Sequence, residues 1–450
     1  MEHRLNKISL EKIKPFIVKK QDGELINELK DFHHADIAEM MNFLEFQESL
    51  YVFSLIDRQR SAEILKDLDD ELREKFLEKL SVKEIAEEID ELNTDDAADI
   101  IAELPKEKKD QVISSIEDVE HAKDIVDLLR YDSDTAGGLM AKELVCVKEH
   151  WNVLTCVKEM RMQAEHVARV HSIYVVDQQD RLKGRLSLKD LLTTSTKTPI
   201  EKVYIPKVIY VTADTKDTEV ARIMQKYDLE AIPVVDELER LIGRITIDDI
   251  VDVIKEEADK DYQMAAGLSQ DVEVNDSILA LTKARLPWLI LALIGGFISV
   301  KILGVFDGAL KDHAELFFFT PLIAAMAGNV GVQSSAIVVQ GLANNSITGT
   351  IWQRLLKELS LSLLNGIILG GVLMLGSHFV LGFGSLTAFT VTVSLITVIV
   401  LASLIGTFVP YTLNRYGIDP ALATGPFITT SNDIFGLLIF FTIAKHMIGF

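Results

Sequence analysis

"TGPFITTSNDIF", residues 424–435, sets Asp433 near the middle of an apolar segment that is otherwise uncharged from Ala421 to Ala444. A carboxylate at the centre of a membrane helix costs roughly 2.5 to 3.5 kcal/mol on insertion scales. Intramembrane acids therefore point to a cation, a water-filled cavity or a hydrogen-bonding neighbour. Gly425 and Pro426 can break or restart a helix ahead of it, and broken backbone at membrane depth exposes carbonyls that coordinate cations or their water. The packing alternative has small residues drawing helices together while a nearby Ser, Thr or Asn satisfies Asp433.

Working outward, charge divides the chain in two. Of 46 basic and 68 acidic residues among 450, only six of each lie beyond position 285, so the whole net charge of −22 belongs to the segment 1–285. An acidic body of this kind avoids nucleic acid and attracts cations. Cys146 and Cys156, with nine residues between them, are the only cysteines, which argues against a disulfide framework and suits a reducing compartment. The start, "MEHRLNKISLEKIKPF", has no apolar core of a signal peptide.

Five apolar runs are long enough to span roughly 30 Å of hydrocarbon, at about 287–306, 316–342, 357–381, 386–412 and 421–444. Lys283 and Arg285 precede the first, Arg354 and Lys357 the third, and Arg415 the fifth; basic flanks mark the cytoplasmic side. The other side carries Lys311 in an acidic loop, His378 and Lys445. The expected topology is N-terminus in, C-terminus out, with the acidic body in the cytosol. The second run, "TPLIAAMAGNVGVQSSAIVVQG", is polar and glycine-rich in its middle, as suits a helix that lines a cavity or packs closely.

In the soluble half, "IYVVDQQDRLKGRLSLKDL" (173–191) recurs as "IPVVDELERLIGRITIDDI" (232–250), with nine of nineteen positions identical. Such a repeat means two stacked copies of one α/β unit. Each copy reads as strand, turn, strand and a step into a helix, through Gly184, Ser187 and Asp190 in the first and Gly243, Thr246 and Asp249 in the second. The hydroxyls either cap helices or also meet a nucleotide. Residues 24–130 show amphipathic helical segments every fifteen to twenty residues or so, the pattern of an α-solenoid-like superhelix. "YDSDTAGGLM" marks the junction, and "DDIVDVIKEEADKDYQMAAG" continues the second copy as an acidic helix, expected to run 20 residues or more toward the membrane.

The paired repeat resembles the cystathionine-β-synthase (CBS) domain pair, whose cleft often holds adenine nucleotides. Taken in order, the helical domain, "DTAGGLM", the CBS pair, the acidic helix, "AGNVGVQSS" and "DPALATGPFITTSND" resemble the MgtE magnesium transporters over nearly the whole chain. The resemblance implies a multidomain membrane protein: an α-helical superhelical N domain (1–131), a tandem α/β CBS pair (132–254), an acidic connecting or plug helix (255–285) and a five-helix transmembrane domain (286–450). It implies a homodimeric Mg²⁺ channel of the cell membrane, not an enzyme, closed by Mg²⁺ bound in the cytosolic domains.

Mg²⁺ takes octahedral oxygen ligands at about 2.0–2.1 Å and gives up water reluctantly, so a selective path holds the hydrated ion with few charges and many acceptors. The family's fifth-helix aspartate maps onto Asp433, with the carbonyls of Gly425–Thr429 and Asn329 toward the ion's water. Its sensor acids map onto Asp95, Asp99, Asp214, Asp249, Asp252, Glu257 and Asp261, with Glu63 as a further candidate. ATP or another adenine nucleotide is expected in the CBS pair, preferentially in the second cleft, where Pro233 stiffens the first strand. A carrier for Co²⁺ or Mn²⁺ and a membrane-tethered nucleotide sensor are the competing readings. For a membrane enzyme, the isolated His313, His378 and His446 supply no catalytic set.

Overall fold

The computed structural model describes residues 2–449 except 165, 166, 168, 271, 273–275, 309–312, 344–346, 348 and 424, and describes no side chains for 2–9, 11 and 423. Lys311, and Thr424 of the opening stretch, thus lie outside the described residues. The chain divides into two units, Met1–Lys255 and Glu256–Phe450.

In the first unit, short helices follow one another from Glu2 to Leu128. Their sequence starts and stops them. Ser81 accepts from the Glu84 amide at 3.2 Å while the Glu84 carboxylate takes the Ser81 amide at 2.8 Å, and Asp57 caps Arg58–Asp67 through the Arg60 amide. Such caps satisfy amides that a helix start leaves open. His34–Met41 packs on Arg58–Asp67, that helix on Val82–Ile89, and that on Lys106–Ile113. Their apolar faces, among them Ile37, Ile64, Leu65, Ile85 and Ile89, merge into one core. This is the superhelix that the periodicity predicts.

The two repeats form a four-stranded sheet, β1 (Val145–Lys148), β2 (Ile173–Val176), β3 (Leu182–Leu186) and β4 (Ile205–Pro206), and a three-stranded one, β5 (Val211–Thr212), β6 (Ala231–Val235) and β7 (Leu241–Thr246). In each, the first pair is parallel and the hairpin antiparallel, with Val175 opposite Gly184 and Val234 opposite Gly243. Equivalent turns close both hairpins. Asp177 accepts from the amides of Gln179 and Arg181, and Asp236 from those of Leu238 and Arg240, all at 2.9 Å. The turns then join: Leu182 N donates to the Glu239 carbonyl and Leu241 N to the Asp180 carbonyl, each at 3.0 Å. Reciprocal bonds between equivalent positions of the two repeats make the pair a pseudo-twofold unit.

"DTAGGLM" docks on the second repeat rather than the first. Ala136 and Gly137 donate to the carbonyls of Thr215 and Ala213 at 2.7 and 2.8 Å, and Ala141 bridges to Arg244. A Cβ at Gly137 would lie 2.4 Å from the Tyr131 ring, so only glycine admits that approach. The second repeat is thereby brought beside the helical domain.

Among its described residues, the second unit contains five helical segments long and apolar enough to span a membrane: Ile278–Val305, Ala314–Ala343, Ile351–Val380, Ser385–Arg415 and Pro426–Gly449. The first starts well ahead of the expected 287, because the preceding amphipathic stretch and the apolar run form one helix that carries Pro287 within it. The connecting helix, Ile247–Ala265, has 19 residues and ends just before Gly267, whose φ is +85°. Spans two and four pack closely: a Cβ at Gly406 would lie 2.4 Å from the Gly331 carbonyl oxygen. Close approach of backbones through small residues is how membrane helices associate when apolar burial gives no advantage over lipid. Leu289, Leu293, Phe297 and Val300 of the first span stay exposed, as expected of a lipid-facing surface.

Candidate ion pathway and acidic cluster

The fifth span restarts where the sequence says it should. Pro420–Ala423 makes a short 3₁₀ turn, Gly425 takes φ +58°, and Pro426 opens the helix. A Cβ at Gly425 would lie 2.5 Å from the Ala265 carbonyl oxygen, and one at Gly267 would lie 2.5 Å from the Pro426 ring. The end of the connecting helix is therefore seated on the start of the fifth span. Thr429 turns back on this cap: its amide and its hydroxyl both donate to the Gly425 carbonyl at 3.0 Å. That carbonyl already carries two hydrogen bonds.

One turn further, Asp433 is half-buried. No described side chain hydrogen-bonds or ion-pairs with it, so the packing alternative lacks its neighbouring donor. Gly328 of the second span faces it, and a Cβ there would lie 3.6 Å from Asp433 Oδ1 and 3.1 Å from Thr429 Cγ2. Asn329 is exposed, on one helical stripe with Ala325, Gln333, Ala336 and Gln340 that nothing described in this chain covers. Asn432, which sequence reasoning passes over, is 1 % exposed and presses on Gly331, with neither amide atom hydrogen-bonded.

Beside the seat of the connecting helix, Asp261 lies within electrostatic reach of Asp419. Burial first, and then the Asp419 charge, push the Asp261 carboxyl above its usual range, while Lys260 pulls the other way. Asp419 also accepts from the Ala421 amide at 2.8 Å. Sequence reasoning misses it because nothing in "DPALATGP" says which acid it will face.

A second acidic locus lies in the first unit, between the helix Thr94–Glu103 and the start of the connecting helix. Burial, then Asp96 and Asp249, raise the Asp99 carboxyl from 3.8 to about 7. Burial, Asp96 and Asp249 likewise raise Asp95, and burial raises Asp249. Lys66 is set among them, 3.1 Å from Asp96 and 3.8 Å from Glu63. Asp95, Asp99, Asp249 and Glu63 are thus brought together, with Asp96 and Lys66 added. Asp214 and Asp252 are exposed. Thr212 holds the Asp214 carboxyl below its usual range. Glu257 lies 3.9 Å from Lys260 on the connecting helix. The junction between the domains is itself bonded, with Thr94 donating through both N and Oγ1 to Glu143 at 2.9 Å.

These features can be set against known proteins. Residues 320–443 match the family described as divalent cation transporter, MgtE; residues 32–134 match the MgtE intracellular N domain, and 136–196 and 200–256 match CBS domains. The magnesium transporter MgtE of Thermus thermophilus is 34% identical over 429 residues, covering 93% of this chain and 94% of that protein. The chain belongs to the MgtE family. The Bacillus subtilis magnesium transporter MgtE is 33% identical over 433 residues, 93% of this chain and 96% of that one. A crystal structure of the cytosolic domain of the Mg²⁺ channel MgtE in complex with ATP superposes with a TM-score of 0.50 at 34% identity, over 55% of this chain and 99% of that one. The soluble part of a magnesium transporter gives 0.51 at 26%, over 56% and 99%. MgtE proteins are transporters rather than enzymes, and this chain has their architecture of helical domain, CBS pair and membrane helices.

Within this MgtE chain, the CBS motif residues have clear local roles. Ser187 caps its helix through the Lys189 amide at 3.2 Å. Thr246 donates through Oγ1 and N to Asp249 Oδ2 at 2.8 and 3.0 Å. A Cβ at Gly184 would lie 2.4 Å from the Ile205 carbonyl oxygen, and one at Gly243 would lie 2.7 Å from Met140 Sδ. Asp190 is half-buried at the first helix start. Capping is therefore realised in the first copy, and in the second the hydroxyl is tied to the acid of the cluster. Among the described residues, no three His, Cys, Asp or Glu side chains converge as a ready metal-binding set.

Proposed function

We propose that this chain carries Mg²⁺ across the cell membrane as a homodimeric channel whose ion path is lined by the second and fifth spans. The observation that carries the reading is Asp433: a half-buried acid at membrane depth, facing Gly328, with no protein partner among the described residues. A divalent cation offsets such a charge, and a second copy related by a twofold axis would set two carboxylates against one ion. The same second copy would cover the stripe of Asn329, Gln333 and Gln340, which in lipid would be left unsatisfied. Mg²⁺ here is cargo, held through its water by Asp433 and Asn329, while the Gly425 carbonyl is taken up by Thr429. The N-terminal domains face the cytosol and the C-terminus the outside, from the basic flanks at Lys283, Arg285, Arg354, Lys357 and Arg415.

Control falls to the cytosolic acids. Asp95, Asp99, Asp249 and Glu63 in one set, and Asp261 and Asp419 in the other, are oxygen donors of the kind Mg²⁺ prefers. Cytosolic Mg²⁺ bound at these surfaces would favour the closed arrangement and supply negative feedback; Glu257 would serve it, with Asp214 and Asp252 at its margin. The CBS pair would take ATP or another adenine nucleotide, as the relative solved with ATP does. Mg²⁺ uptake into liposomes holding wild-type or Asp433→Ala protein tests the reading. Loss of uptake with the folded oligomer intact is expected; near-normal uptake by Asp433→Ala would remove Asp433 from the path.

A further inference from the structure

A cavity of about 470 Å³ opens at the membrane edge where the second and fourth spans end and the third begins. Tyr411, Asn414 and Arg415 of the fourth span line it. The Arg354 guanidinium lies at its edge: a Cβ at Gly341, another lining residue, would lie 3.7 Å from that guanidinium. No described carboxylate pairs with either arginine; the nearby acid of the third span, Glu358, bonds Ser334 at 2.6 Å instead. Two uncompensated guanidinium groups with a phenol and an amide make a site for a phosphate-bearing anion.

A second cavity, of about 400 Å³, lies between the third and fourth spans, and its lining is almost wholly apolar, including Trp352, Leu359, Leu404 and Phe408. Leu404, Phe408, Tyr411 and Arg415 follow one another at helical spacings of four, three and four. They form one stripe, leading from the apolar groove to the basic cavity. Trp352 is 73 % exposed and Phe408 50 %, so the groove has room for a guest. A basic pocket at the headgroup level that continues into an apolar groove has the chemistry of one molecule, charged at one end and hydrocarbon at the other.

We infer that this is a binding site for an anionic glycerophospholipid, its phosphate between Arg354 and Arg415 and an acyl chain along Phe408 and Leu404. The inference goes beyond ion conduction and needs only that the helices span a bilayer. A lipid seated there ties the third span to the fourth at the end of the bundle where the basic flanks cluster.

Native mass spectrometry of the full-length protein in neutral detergent tests it. Phosphatidylglycerol, phosphatidylcholine of the same chains, or inorganic phosphate is titrated in. Phosphatidylglycerol adducts are expected at concentrations about tenfold below phosphatidylcholine, and Arg354→Gln with Arg415→Gln should abolish that preference. Equal retention of the two lipids by the unaltered protein overturns the site, whether or not the double variant folds. So does a preference that survives both substitutions. Displacement of the lipid by inorganic phosphate at equal concentration overturns the acyl-chain groove.

Discussion

Asp433 and Gly331 show how differently two residues of the same bundle can be constrained. Asp433 is left without a protein partner among the described residues, whereas Gly331 has no space to spare: a Cβ there would lie 1.8 Å from the Asn432 amide nitrogen. Gly331→Ala is therefore expected to destabilise the folded bundle by about 1–3 kcal/mol through overpacking. The check is a fall in the thermal unfolding midpoint in detergent, with Gly296→Ala, where a Cβ meets nothing within 4 Å, unchanged. At Asp99 the constraint is electrostatic. Its carboxyl stands at about 7 against an ordinary 3.8, so the folded arrangement binds a proton that a free aspartate releases. The stability tied to that proton is fully present below about 4 and is lost as pH rises through about 7. Without Mg²⁺, protease protection of the helix Thr94–Glu103 is expected to weaken from pH 5.5 to pH 8. Millimolar Mg²⁺ is expected to restore it at pH 8. Protection that is flat with pH in Asp99-containing protein, yet changes with pH in Asp99→Asn, would contradict this origin.

Among the elements, the connecting helix has the most specific prediction. Its end is seated against the start of the fifth span through Gly267, Pro426, Gly425 and Ala265, while Asp261 and Asp419 repel across that seat. Removing one charge relieves the repulsion. Asp419→Asn should lower cleavage at residues 266–277 in the absence of Mg²⁺, toward the level of wild type with Mg²⁺; unchanged or faster cleavage would mean that the pair does not govern the seat. This element also shows where the sequence runs out. Five spans, the hairpin repeat and the broken start of the fifth helix are legible because each follows from local periodicity, Gly and Pro. The pairing of Asp261 with Asp419, and of Lys66 with Asp96 from separate helices, is not, because periodicity tells which face of a helix is buried and not which element will meet it. The start of the first span differs from its expected place for a related reason: hydropathy marks where lipid begins, but the helix at Ile278 starts on its own cap, Ser277, whose hydroxyl takes the Ala280 amide at 3.2 Å.

In the whole molecule, charge and lipid solubility are segregated: a net charge of −22 in the segment 1–285 and a neutral remainder. The proposed division of labour follows, with one acid per chain for the ion's path and a set of acids for its control. Bound Mg²⁺ shifts the balance toward closure only to the extent that it prefers the closed arrangement; a few sites preferring it by about 1–3 kcal/mol each are enough. Deleting residues 1–130, which supply Asp95, Asp99 and Glu63, should raise the cytosolic Mg²⁺ needed to close the channel, read as flux at increasing Mg²⁺. The most direct test combines both roles in one recording. Mg²⁺ current through reconstituted protein is measured while Mg²⁺ on the cytosolic side is raised, in wild type and in the Asp95→Asn, Asp249→Asn, Glu257→Gln variant. Wild type is expected to close in the millimolar range and the variant to stay open there; closure of the variant at the wild-type concentration would contradict control by these acids.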